Sequence, residues 1–83
     1  MKTEMNKHHC PCCNFCTLEG RLGGFDICPV CYWEDDAVQN DDPDYKGGAN
    51  GISLGEAQEN YKKIGAISSK YCDKVRPPLD EEK

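Results

Sequence analysis

The sequence predicts a small α+β fold: a β-hairpin bearing two cysteine knuckles, then an acidic loop, then one or two packed C-terminal helices. Three observations predict it. Two Cys-Pro-x-Cys quartets bracket a glycine-punctuated stretch, an acidic segment without hydrophobic periodicity follows, and a capping box opens a run of apolar residues at helical spacing. The chain has 83 residues, enough for one domain but too few to bury a large core, and chains of this size often need a staple.

The seven cysteines supply that staple. Disulfides would suit an exported protein, yet the stretch Met1 to His9 has no apolar run resembling a signal peptide, and an odd count leaves one thiol over. Thiols held as metal ligands in a reducing, cytoplasmic compartment fit better. No segment is long and apolar enough to span a membrane.

The first knuckle is Cys10-Pro11-Cys12-Cys13 and the second is Cys28-Pro29-Val30-Cys31. Within each, the first and fourth thiolates reach one ion while proline presets the turn. Fourteen residues separate Cys13 from Cys28, one short of the usual range for the four-cysteine zinc pattern. Strand candidates Phe15–Leu18 and Phe25–Ile27, linked through Gly20, Gly23 and Gly24, make the region 10–33 resemble a zinc ribbon. The expectation is one structural zinc on Cys10, Cys13, Cys28 and Cys31, with iron as a substitute. Cys12 and Cys16 are alternates, because Cys13-Asn14-Phe15-Cys16 is a further Cys-x-x-Cys pair. The residue leaving such a knuckle tends to need positive φ, which suits Asn14 better than Tyr32. Cys72 reads as a small core residue, and His8 and His9 as a solvated pair within a flexible 1–9 segment.

Residues 34–51 form the acidic loop. Asp42-Pro43-Asp44-Tyr45-Lys46-Gly47 starts like a calcium loop but puts Lys46 at the fifth place and Ser53 at the twelfth, where oxygen ligands are required. Gly47 to Gly51 lacks the Lys-Ser/Thr that would make it a phosphate loop. Ser53 and Glu56 form the capping box of a helix over Leu54 to Ile64, with Leu54, Ala57, Tyr61 and Ile64 on one face and Gly65 as its end. Ile67, Tyr71 and Val75 predict a second short helix before Pro77 and Pro78, within a helical part spanning 53–76. The zinc-binding domain thus covers 10–78, and 79–83 is expected to be a disordered tail.

A formal charge of −5 disfavours nucleic-acid binding, which relies on basic groups. Neither a Ser/His/Asp set nor an open metal position can be assembled, so no catalytic residue is assigned and a small-molecule substrate is not expected. The functional expectation is an interaction module that meets a basic protein through an acidic surface of Trp33, Glu34, Asp35, Asp36, Asp42 and Asp44. Two alternatives stay open: a nucleic-acid-binding zinc ribbon using Lys62 to Arg76, and a hydrolase or thiol-redox protein using Cys12 or the acidic cluster.

The motifs CPCC, DICPVCYWEDD, DDPD, GGANGISLGEAQENY and VRPP together resemble the cysteine-rich CPCC family of small, mostly bacterial and phage-associated proteins. The resemblance covers Cys10 to Pro78 and implies no particular reaction. It singles out Trp33, Glu34, Asp35, Asp36, Asp42, Pro43, Asp44, Asn50, Gly51, Tyr61 and Arg76 as motif positions. Asn14 and the additional Cys16 depart from its pattern, which keeps the first knuckle's ligand choice open.

Overall fold

The computed structural model describes residues 7–19 and 23–83. Most of the segment expected to be flexible, and Gly20 of the expected hairpin link, lie outside the described residues. In chain order the elements are strands β1 (His8–His9) and β2 (Cys16–Leu18), helices α1 (Ala37–Asp41) and α2 (Leu54–Ile64), and 3₁₀ turns at Ser69–Tyr71 and Asp80–Glu82.

The strand pairing differs from expectation. β1 and β2 run antiparallel, with His8 opposite Leu18 and His9 opposite Cys16, and a bulge between the two pairs. His8 and His9, expected to be solvated, are sheet residues: His9 is exposed, whereas His8 is half-buried against Asp35. Phe25–Ile27, the expected partner of β2, instead lies along the chain leaving the second knuckle: Phe25 N–H donates to Asp35 O (3.0 Å), Asp35 N–H to Asp26 O (2.9 Å), and Ile27 bridges Glu34. Each knuckle is thus the turn of its own antiparallel pair. The physical reason is local, because a Cys-x-x-Cys turn reverses the chain and sets its two flanks side by side.

The expected acidic loop contains a helix. Asp36 caps α1 by accepting from Val38 N–H (2.9 Å) and, more weakly, from Gln39 N–H (3.4 Å). Its other carboxylate oxygen accepts from Ala49 N–H (3.0 Å), which chiefly holds the Asp36 carboxyl below its ordinary value. Gln39 is fully buried, donating to Tyr45 O and Ile52 O and accepting from both nitrogens of Asn50. This segment folds around two polar side chains, and so carries no apolar periodicity. Gly48 packs directly on them: a Cβ there would collide with the Gln39 side chain and lie 2.6 Å from Asp36 Oδ2.

Helix α2 has the predicted bounds. Ser53 Oγ accepts from Glu56 N–H (3.1 Å), Glu56 reaches back to Ser53 N–H (3.4 Å), and Gly65 ends the helix at φ 79°. Leu54 and Ala57 are buried and Tyr61 is half-buried, whereas Ile64, the last member of the expected stripe, is exposed. The second helix is reduced to the turn Ser69–Tyr71, and ahead of it Ile67 N–H donates to Cys31 O (3.0 Å), tying this segment to the second knuckle. Cys72, expected in the core, is exposed just beyond this turn.

In the segment expected to be a disordered tail the structure has a 3₁₀ turn at Asp80–Glu82. Glu82 is 2% exposed and takes a two-pronged contact from Arg76 (2.9 and 2.8 Å) together with Leu79 N–H (2.8 Å). The Arg76 guanidinium first, then the Leu79 N–H, pull the Glu82 carboxyl down to about 2 from an ordinary 4.5. Because the folded value lies below the unfolded one, the contribution is fully present above pH 4.5 and is lost as pH falls toward 2.

Two predictions follow from this packing. Gly48→Ala should lower unfolding stability by about 1–3 kcal/mol in chemical denaturation, the usual cost of overpacking. Glu82→Gln should cost about 1–2 kcal/mol at pH 7, since one partner is partly solvated, and this gap to wild type should close as an acid titration passes from pH 4.5 toward 2. A gap independent of pH would contradict the ion-pair account.

Candidate metal centre

The two knuckles are built alike. Cys10 N–H donates to Phe15 O (2.9 Å) and Asn14 N–H to Cys10 O (2.7 Å), while Cys28 N–H donates to Trp33 O (2.9 Å) and Tyr32 N–H to Cys28 O (2.8 Å). Asn14 and Tyr32 occupy the same exit position with φ of 68° and 76°. Asparagine tolerates that region, whereas for tyrosine it costs on the order of 1–2 kcal/mol. Tyr32 is held there by stacking on Tyr71, with ring centroids 4.3 Å apart.

This shared geometry directs four thiols to one point. The sulfurs of Cys10, Cys13, Cys28 and Cys31 lie within 4.8 Å of one another, and all four residues are buried. Cys10 and Cys31 are 3.6 Å apart, and Cys13 and Cys28 are 3.7 Å apart. These separations are far longer than a disulfide bond of about 2.05 Å. They match the edge of about 3.8 Å that a tetrahedron with metal–thiolate bonds of about 2.3 Å would have. The donor set therefore fits a four-coordinate metal ion.

The four thiols are close enough to perturb one another. Hydrogen bonding to Cys10 pushes the Cys31 thiol up, and hydrogen bonding to Cys13 pushes Cys10 up, while the bond from Cys10 is the main cause pulling both Cys13 and Cys28 down. Thiolates are the metal-binding form, so a divalent ion held here would displace the thiol protons. Thr17 supports the shell with its hydroxyl 2.9 Å from Cys28 Sγ. Sequence reading gave no role to Thr17. Its position next to Cys16 in a strand candidate offered only a weak signal, since the contact depends on how β2 meets the second knuckle.

The other candidate residues divide sharply. Cys12 is buried between the two ligands of the first knuckle yet lies outside the four-sulfur set, as does the half-buried Cys16. Trp33, Asp35 and Asp36, expected on a partner surface, are buried and belong to the framework. The Trp33 indole N–H donates to Asn40 Oδ1 (3.0 Å). Asp35 is 0% exposed and accepts from Asn40 Nδ2 (2.7 Å), Gly23 N–H (2.8 Å) and His8 Nε2 (3.2 Å), which makes Nε2 the protonated nitrogen toward that carboxylate. Trp33 and Asp35 lie on the stretch whose backbone pairs with residues 25–28 and put their side chains on Asn40, whereas Asp36 turns inward as the cap of α1 with its second oxygen on Ala49 N–H. Glu34 is half-buried, and its backbone clamps the Asn50 amide from both sides (2.7 and 2.9 Å). Asp42 and Asp44 are exposed, with Asp44 N–H donating to Asp42 Oδ1 (3.2 Å).

Thr17→Val should leave the metal stoichiometry intact and weaken affinity by about tenfold, as loss of a partner to a ligand typically does, measurable by competition with a chelating dye.

The family model described as "Cysteine-rich CPCC" matches residues 8–82. A search of curated proteins found no match.

Proposed function

The chain belongs to the cysteine-rich CPCC family, and on that premise we propose that it is a small zinc-binding interaction module whose single zinc ion is structural. The observation that carries this reading is the buried set of four thiols at tetrahedral spacing. Four thiolates close the coordination shell and leave no position for a substrate, which favours a folding role over a catalytic one. When bound, the ion would supply the cross-link that joins the two knuckles, and Cys10, Cys13, Cys28 and Cys31 would hold it. Zinc is the natural occupant of a closed four-thiolate site, with iron as a substitute.

The interaction half of the proposal has a narrower basis than the sequence implied. With Trp33, Asp35 and Asp36 in the interior, Asp41, Asp42 and Asp44 are the exposed acids of this region, and Tyr45 beside them is also exposed. A short acidic rim with an aromatic residue suits a basic protein partner. Free thiols are consistent with a reducing compartment, so the reading includes the cytoplasm. No helix among the described residues is long and apolar enough to cross a membrane.

Elemental analysis of the purified chain should give one zinc per molecule, and a strong chelator should abolish its far-ultraviolet circular dichroism transition. Cys10→Ser, Cys13→Ser, Cys28→Ser and Cys31→Ser should each lose most of the metal, whereas Cys16→Ser should keep it. A metal-free chain that melts like the zinc-treated one would overturn the structural role. For the interaction half, low-salt cross-linking should capture a basic protein, and Asp42→Asn with Asp44→Asn should weaken that capture; capture unchanged by the double substitution would remove the acidic rim from the proposal.

A further inference from the structure

The side-chain amide of Asn50 is held at both of its heteroatoms. Its Oδ1 accepts from Glu34 N–H (2.7 Å), and its Nδ2 donates to Glu34 O (2.9 Å) and to Gln39 Oε1 (2.8 Å). The polarity of this clamp is fixed. Glu34 contributes backbone groups, and Gln39 donates its own Nε2 to Tyr45 O (2.8 Å) and Ile52 O (2.7 Å), so turning the Gln39 amide over would set its oxygen against two carbonyls. The residue that follows is Gly51, at φ 74° and with open space where a Cβ would stand. An asparagine before a glycine is the pair in which the next backbone nitrogen reaches the side-chain amide with least hindrance, because no Cβ crowds its approach. In the folded chain that nitrogen instead donates to Gly48 O (3.3 Å), while three hydrogen bonds hold the Asn50 amide flat and in place.

We infer that Asn50 is a deamidation site that the fold keeps closed, and that its reaction in the unfolded chain turns a reversible loss of structure into a permanent one. Its trigger in the native protein, release of a structural metal, rests on the zinc reading above. In the first step the Gly51 amide nitrogen gives its proton to solvent base and attacks Asn50 Cγ. A C–N bond forms, the bond from Cγ to Nδ2 breaks, and Nδ2 leaves as ammonia after taking a proton from solvent. In the second step one water opens the resulting five-membered imide at either carbonyl, leaving aspartate or isoaspartate at position 50. Water enters and ammonia departs, with no change in oxidation state. The product no longer fits the clamp. An aspartate is ionised at neutral pH and only accepts, so an oxygen would face Glu34 O and Gln39 Oε1 where Nδ2 had donated to both. Isoaspartate keeps the carboxylate and also lengthens the main chain by one methylene. Either product leaves acceptors of the buried Gln39 network without their donor, which opposes refolding.

The test incubates the full-length chain at neutral pH with a thiol reductant in three states: zinc-loaded, treated with a strong chelator, and unfolded in urea. Peptide mass spectrometry follows the amide-to-acid conversion at each asparagine. Conversion at Asn50 should run at least about tenfold faster in urea than in the zinc-loaded chain, with the chelated chain following the unfolded one. In urea, where folding plays no part, Gly51→Ala should slow that conversion about tenfold, since its methyl group crowds the attacking nitrogen. After urea is removed and zinc restored, the unmodified fraction should regain its circular dichroism and the modified fraction should not. Asn50→Asp should likewise fail to fold or unfold at lower denaturant. Equal rates at Asn50 in the folded and urea-unfolded chains, an unchanged rate in Gly51→Ala, or a modified fraction that refolds with the wild-type midpoint would each overturn the inference. The arms also separate the two readings. A chelated chain that stays folded and unmodified counts against the zinc proposal alone, and the urea comparison still decides the role of Asn50.

Discussion

The convergence of four buried thiols is the constraint on which the remaining structure depends, because the knuckles that carry them are also the hub of its hydrogen bonding. Helix α2 reaches the first knuckle through Gln58 Nε2, which donates to Pro11 O (2.9 Å). The segment after that helix reaches the second through Ile67 N–H on Cys31 O, and the C-terminal segment through Arg76 N–H on Pro29 O (3.1 Å). β2 contributes Thr17 to Cys28. Four parts of the chain therefore take their positions from backbone or sulfur atoms of two short turns. Among the described residues large buried apolar side chains are few, with Trp33, Leu18, Ile67 and Val30 the principal ones, so sulfur occupies the centre that aliphatic packing fills in a larger domain.

A second, polar centre lies beside the first. Asp35, Asp36, Gln39, Asn40 and Asn50 form a connected set in which the buried carboxylates and amides find donors and acceptors on α1 and the loop following it. Buried polar groups are stable only when satisfied in this way. The consequence for function is direct. Acids that read as a charged surface in one dimension are framework in three, and the surface left for a partner is the shorter Asp41, Asp42 and Asp44 rim. The same logic holds at the chain's end, where Glu82 is buried because Arg76 meets both of its oxygens.

Features legible in the sequence were those decided within a few residues. The capping box of Ser53 and Glu56, the Gly65 end of α2, the positive φ of Asn14 and the matched Cys-Pro-x-Cys turns are set by local geometry, and the structure has each of them. Tyr32 shows where such reasoning weakens. Its local preference opposes the left-handed exit, and the favourable contact with Tyr71, far along the chain, was invisible to a reading of neighbours.

By itself the sequence determined the family, the spacing of the thiols and the helix α2, because residue type and short-range spacing suffice for all three. Tertiary structure alone decided that Trp33, Asp35 and Asp36 face inward, that Cys72 is exposed, and that the last residues dock through Glu82. These outcomes depend on which distant segments come together. Once both knuckles aim their sulfurs at one point, the segments that follow α2 come to lie against Cys31 and Pro29, contacts that no local pattern encodes.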